Sequence, residues 1–308
     1  MVILFLSSLA FAESPRALLD SGKADEAISE LGKQLRDAPS GDLYNYLCRA
    51  YFELGAWDAG IPNCERAVAL APDNAVYHLW LGRIYGEKAD HAGFLSAAGL
   101  AKKVRGEFER AVELDPTNWE ARTDLAEFYL EAPGMVGGGK DKARAQADAI
   151  AALNPAMGHW VLARLAAKNK DMVLAEREYR AAVESSHGSA RAWLNLAGFY
   201  RRAGRFDDME NALRNLETKP ADFPAALADG GGMLLRLNRD LPLAARLLTK
   251  YLAGPTVEEA PAFKAHEMLG QLLEKQGDPK AAAEQFRAAL TLAHSYRPAI
   301  DGLRRVGG

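Results

Sequence analysis

A glycine-rich stretch, Gly134-Met135-Val136-Gly137-Gly138-Gly139-Lys140-Asp141, has the spacing of a phosphate-cradling loop. Such a loop wraps phosphates with backbone N–H groups and holds magnesium through a Ser or Thr after the lysine. Here Asp141 stands where the hydroxyl belongs, and the stretch follows a helical pattern rather than a strand. The expected structure is therefore a turn between helices, with Lys140 near the next helix start. His266-Glu267-Met268-Leu269-Gly270 begins as a zinc-protease helix would. Gly270 replaces the second histidine, so one of the two facing ligands is missing. The six histidines are scattered without ligand spacing. The chain has no strand-turn-helix nucleophile elbow and no recognisable carboxylate pair. No metal site, no cofactor and no catalytic activity is expected.

Three aromatic–guanidinium pairs could do recognition chemistry. Tyr46 and Arg49 are three residues apart, Trp80 and Arg83 also three, and Trp160 and Arg164 four. At those spacings each pair shares one face of a helix. Aromatic faces beside guanidinium groups suit an extended acidic or aromatic peptide. The competing expectation is that the arginines pair with nearby acids such as Glu53, Glu87 and Glu127 while the aromatics pack between helices.

The elements that position these residues come from a recurring pattern. Its clearest copy runs Tyr44, Leu47, Cys48, Tyr51, Gly60, Cys64, Ala67, Pro72. A second begins Trp193, Leu196, Ala197, Tyr200, and a third has Leu269, Gly270, Ala282, Phe286, Ala289. Small residues recur where two helix axes must approach, and large ones fill the flanking gaps. A bulky side chain at a small position would force a hairpin apart at a cost of about 1–3 kcal/mol. Pro72 to Pro116 spans 44 positions, about ten more than the usual ~34-residue period. The surplus falls near 86–103, where the apolar run 92–100 reads as helix extension or a packed elbow. A second insertion, near 131–141, holds the glycine cluster and reads as a loop.

This pattern resembles the tetratricopeptide repeat family over roughly residues 14–294. The resemblance implies an all-α fold, an α-solenoid of stacked antiparallel helix hairpins in which first helices line a concave groove and second helices form the outer face. About seven units over 13–308 are expected, with a short capping helix near 298–305 to shield the last apolar face. The groove candidates are Asn45, Tyr46, Arg49, Trp80, Arg83, Glu127, Trp160 and Arg164. Family members that grip a C-terminal carboxylate use a Lys/Asn/Arg set on successive first helices. Here Asn45, Arg49, Trp80, Glu120 and Asp124 stand at groove-facing positions, so that set is not reproduced. Cys48 and Cys64 face the seam of one hairpin and could bridge in an oxidising compartment. Two buried thiols acting as small apolar residues are the favoured expectation, since a bridge demands close Cα atoms.

Composition narrows the function classes. The formal net charge of −3, from 38 Lys+Arg and 41 Asp+Glu, gives no basic footprint for nucleic acid. The 49% hydrophobic content argues against disorder. Residues 1–12 read as a secretory signal, with the apolar run Val2–Leu9 and a small-x-small site at Ala10-Phe11-Ala12, although no basic residue precedes the run. That run is too short to span a bilayer. The expectation is an exported, periplasmic, non-enzymatic scaffold that captures protein or extended peptide in envelope assembly or quality control. A structural subunit of a larger complex and a cytoplasmic adaptor, should residues 1–12 be retained, are the alternatives. Oligomeric state is not legible.

Overall fold

The computed structural model describes residues 13–219 and 222–307. The segment 1–12, expected to be a signal, lies outside the described residues. An incomplete first hairpin pairs α1 (Pro15–Asp20) with α2 (Ala24–Asp37). Full hairpins follow: α3 (Gly41–Glu53) with α4 (Trp57–Leu70), α5 (Ala75–Asp90) with α6 (Phe94–Leu114), and α7 (Trp119–Glu131) with α8 (Lys140–Ala151). Then come α9 (Pro155–Lys168) with α10 (Met172–Ser185), α11 (Ala190–Arg202) with α12 (Phe206–Glu217), and α13 (Ala225–Leu237) with α14 (Leu241–Leu252). The last pair is α15 (Ala262–Lys275) with α16 (Pro279–Leu292), and α17 (Arg297–Arg305) closes the end. No strand occurs among the described residues. The fold is an all-α solenoid of helix hairpins.

Local chemistry sets the helix limits. Ser40, Asn74, Asn118, Asn154 and Ser189 each accept a backbone N–H from the first turn of the helix they precede. Such caps satisfy donors that a helix start otherwise leaves orphaned. Gly55, Gly204 and Gly277 supply positive φ at the tight hairpin turns. The insertion near 86–103 is helical, with α5 running to Asp90 and α6 starting at Phe94. The insertion near 131–141 is a 3-10 turn over Gly134–Val136 followed directly by α8.

Small residues sit where the packing demands them. A Cβ placed on Gly82 would lie 2.5 Å from the Phe108 ring, and one on Gly270 would lie 2.7 Å from the Phe286 ring. Each ring lies across the neck of its own hairpin, so these glycines let the two axes approach.

The array also closes on itself. Arg49 of α3 donates from Nε to Glu258 Oε1 at 2.7 Å and makes a second bond to the other oxygen. The Glu258 N–H reaches Asp20 Oδ1 at 3.4 Å, and the His294 N–H donates to Asp25. Ala24 is buried in the same apolar cluster as Phe263, Phe286 and Ala299. First and last hairpins are therefore in contact, and the first helices face an enclosed interior.

Replacing Gly270 by Leu should destabilise the chain by about 1–3 kcal/mol through overpacking against Phe286. Denaturant melts of wild type and variant measure it; unchanged unfolding would refute the helix register.

Candidate functional site

The interior face has two connected concavities. The inner one is a chamber of about 270 Å³ between α3, α5, α7, α11 and the segment leading into α15. The outer one is an open groove of about 680 Å³ between α5, the N-terminal half of α6, α7 and the Gly134–Val136 turn. Phe52, Arg83 and Asp124 line both.

The three aromatic–guanidinium pairs do form. The Arg49 guanidinium lies 5.0 Å from the Tyr46 ring centre and 4.7 Å from Trp80, Arg83 lies 4.9 Å from Trp80, and Arg164 lies 5.2 Å from Trp160. Their hydrogen-bonding capacity goes to carboxylates of the chain itself. Arg49 takes Glu258, Arg83 takes Asp124 at 2.6 Å, and Arg164 takes Glu127 and Glu131, each at 2.9 Å. Of the acids expected from sequence, Glu127 is used, while Glu53 and Glu87 are not.

Of the expected groove residues, Asn45, Arg49 and Trp160 are buried. Arg49 of α3 meets the segment carrying Glu258, and Trp160 packs between helices. Trp80 and Arg83 line the inner chamber, whereas Arg83 and Glu127 line the outer groove. Tyr46 is half-buried beneath Arg49. Arg164 stands behind the groove rim on its two acids.

Cys48 and Cys64 are joined in a disulfide, with Cα atoms 5.3 Å apart. This corrects the expectation of free thiols. The seam between α3 and α4 is narrow because both positions hold small residues, and it brings the two Cα atoms within bridging range.

Among the charged groups of the chamber, Lys264 and Arg191 were missed from sequence, and Glu53 was expected to pair with an arginine. Glu53 is 2% exposed, and neither of its carboxylate oxygens has a hydrogen-bond partner. Burial, with Glu258 nearby, holds its carboxyl well above the usual range. Burial pulls Lys264 below its ordinary value, opposed by Glu53 and Glu87. Arg191 lies flat on Phe223, 3.7 Å from the ring centre, and burial lowers its pKa as well. No local motif marks these residues, because closure of the array is what brings them together.

The glycine cluster has a backbone explanation. Gly137 takes φ +104°, and a Cβ on Gly138 would lie 1.8 Å from the Ala132 carbonyl oxygen. Lys140 Nζ donates to Asn169 at 2.7 Å. His266 Nδ1 lies 2.8 Å from Gln285 Oε1. Among the described residues no group of three or more His, Cys, Asp or Glu could hold a metal, and no helix is long and apolar enough to cross a membrane.

The outer groove is built differently from the chamber. Its floor is apolar, from Ala97, Ala98, Ala101, Val104, Phe108 and Phe128. At its edge Phe94 is 80% exposed and Met135 78%, with Leu95 beside them at 86%. These features were partly legible in the apolar run 92–100.

Stacked antiparallel hairpins around a shared interior define a helical-repeat scaffold. A family model described as tetratricopeptide repeat matches residues 16–75 and 231–296. These two segments make up less than half of the chain, and over them it is similar to the tetratricopeptide repeat family, whose members typically bind proteins. No curated protein sequence matches it. Among solved structures, a thermophilic repeat protein from Thermus thermophilus is similar at 18% identity and TM-score 0.50, over 60% of this chain and 98% of that one. A tetratricopeptide repeat protein from Parabacteroides merdae is similar at 14% identity and TM-score 0.48, over 96% of both chains. A chain of the APC/C hetero-tetramer Cut9–Hcn1 is similar at 17% identity and TM-score 0.42, over 95% of this chain. The present chain spans only 54% of that one. At these identities the likeness concerns the fold alone.

Replacing both cysteines by Ala should cost about 3 kcal/mol, the loop-closure value for a bridge of this span. A reductant should lower the wild-type melting temperature and leave the double variant unmoved; equal responses would exclude the bridge. Glu53→Met should raise stability at pH 7.5 by about 1–3 kcal/mol, since it removes a buried group without partners. A carboxyl whose folded pKa is raised loses stability as pH climbs from the unfolded value toward the folded one. The variant's advantage should therefore shrink towards pH 4, below the ordinary glutamate value of 4.5. A constant difference in thermal melts across that range would show that Glu53 is not protonated in the fold.

Proposed function

We propose that this chain is a non-enzymatic scaffold that captures a protein segment in the outer groove between α5, α6 and α7. The single observation that carries this reading is the open apolar groove of about 680 Å³, with Phe94 and Met135 uncovered at its mouth. Monomeric proteins rarely leave contiguous apolar concavities of this kind uncovered unless something docks there. The setting we infer is the oxidising bacterial envelope, in assembly or quality control. The Cys48–Cys64 bridge supports that compartment, because such bridges persist where thiols are not kept reduced. The signal-like segment 1–12 supports export.

A second reading is a structural subunit that buries its exposed rim in a larger complex. Leu95 favours it, since it is 86% exposed and lies outside the groove lining.

Two variants separate the readings. Ala98→Trp fills the groove and leaves the rim intact, whereas Leu95→Asp charges the rim and leaves the groove open. In crosslinking pull-downs from separated envelope and cytoplasmic fractions, segment capture predicts that Ala98→Trp loses the envelope partner by about tenfold or more. Loss in Leu95→Asp alone would favour the subunit reading. A partner found only in the cytoplasmic fraction would overturn the setting.

A further inference from the structure

The groove has a charge pattern that goes beyond its shape. Its lining includes five carboxylates (Glu87, Asp90, Asp124, Glu127 and Glu131) and one guanidinium, Arg83. Arg83 is committed to Asp124 at 2.6 Å. Nearby cations are committed as well: Arg164 spans Glu127 and Glu131, Lys168 lies 2.8 Å from Glu131, and Lys88 is turned to Asp58. Glu87 and Asp90 are exposed, and among the described residues neither lies within ion-pair distance of a cation. They sit three apart on α5, and Glu127 and Glu131 sit four apart on α7. At those spacings each pair forms a short acidic ridge along one wall.

Between the ridges the floor is small and apolar. Ala97, Ala98 and Ala101 project no more than a methyl group each, so a backbone can approach α6 closely. The groove lies among α5, α6 and α7, so its apolar floor runs between two helices that each carry an acidic pair.

We propose that the groove takes a short cationic amphipathic helix, apolar on the face that meets α6 and carrying Lys or Arg along both edges. This rests on the segment-capture reading and names the chemistry of the captured segment. The apolar face supplies burial, and the edge cations meet the free carboxylates of Glu87 and Asp90 and compete for those of Glu127 and Glu131. An acidic segment would face like charge on both walls, which costs affinity and rejects it.

The probe is a fluorescent synthetic peptide of about 14 residues, roughly four turns, with Leu on one face and Lys on the other. A Leu/Glu peptide of the same pattern and a Leu/Lys peptide with its order scrambled serve as comparisons. Anisotropy titrations use the full chain. The patterned Leu/Lys peptide should bind at least about fivefold tighter than either comparison, and weaken as salt rises and screens the ridges. Glu87→Lys with Asp90→Lys should weaken it by a similar factor. Glu184→Lys with Glu284→Lys changes net charge equally, far from the groove, and should not. Equal binding of the scrambled peptide, or equal loss in both double variants, would reduce the effect to net charge and overturn the proposal.

Failure of the charge inference and failure of groove capture read differently. If the Leu/Glu peptide binds best and Ala98→Trp abolishes it, the groove captures segments but the cationic class is refuted. If no peptide binds and Ala98→Trp still captures its envelope partner, the capture reading itself falls. Self-association in light scattering that Ala98→Trp removes would assign the groove to a second copy of this chain, and also overturns the proposal.

Discussion

Arg49 and Glu258 lie 209 residues apart in sequence and meet in the interior through two charge-assisted hydrogen bonds. Both side chains are less than 10% exposed. A buried pair of this kind is weak evidence of net stability, because desolvation offsets much of its attraction. Its stronger consequence is specificity. Breaking it leaves one charge buried and alone, a cost of about 3–5 kcal/mol, so closure in any other register is disfavoured. The rest of the interior follows from that choice. Because Arg49 selects Glu258, Glu53 one turn further along α3 has no hydrogen-bond partner, and burial raises its carboxyl well above the usual range. Because the segment into α15 lies over α3, the first-helix face there becomes a chamber wall.

Packing between hairpins explains why guanidinium groups that look available in sequence are not. Arg83 and Arg164 reach carboxylates on the first helix of an adjacent hairpin, and only Arg49 depends on closure for its partner, Glu258. Each also sits on an aromatic face. The aromatic faces hold the planar cations in place, and the carboxylates take their N–H groups. Such pairs favour the stack over separated hairpins, and they leave little capacity for an acidic ligand at these positions.

The hairpins were legible because their code is local. Small residues at Gly82, Ala126, Ala197 and Gly270 and large ones three or four positions away repeat with the helix period, and a capping Ser or Asn precedes many of the first helices. The disulfide was half legible: the small position of one helix and the large position of the next placed Cys48 and Cys64 on one seam, but only the distance between their Cα atoms decides bridging. Closure was not legible. It depends on small rotations accumulated over every hairpin, and no single window of sequence carries that sum. For the same reason Arg191, Phe223 and Lys264 carried no signal, and Glu53 was read as a partner for an arginine, because each becomes distinctive only across the chamber.

The outer groove arises from a mismatch of lengths. In a repeat array each hairpin buries its face on the next, which works when neighbouring helices are equally long. Here α6 has 21 residues, about 32 Å, against 12 residues and about 18 Å for α8. Its first turns therefore extend past the helices that would cover them. The insertion after α7 supplies a partial substitute: Val136 is buried, and Arg105 donates to its carbonyl at 3.4 Å. That turn covers the lower part of α6 and stops short of Phe94. A sequence selected only for stability would make the overhang polar or shorten it, since neither change disturbs a seam. It instead places Phe94, Leu95, Ala97 and Ala98 there, opposite unpaired carboxylates on α5. Water satisfies the exposed carboxylates, so it is the uncovered apolar surface of α6 facing them that the fold leaves unexplained and that the proposed partner would bury.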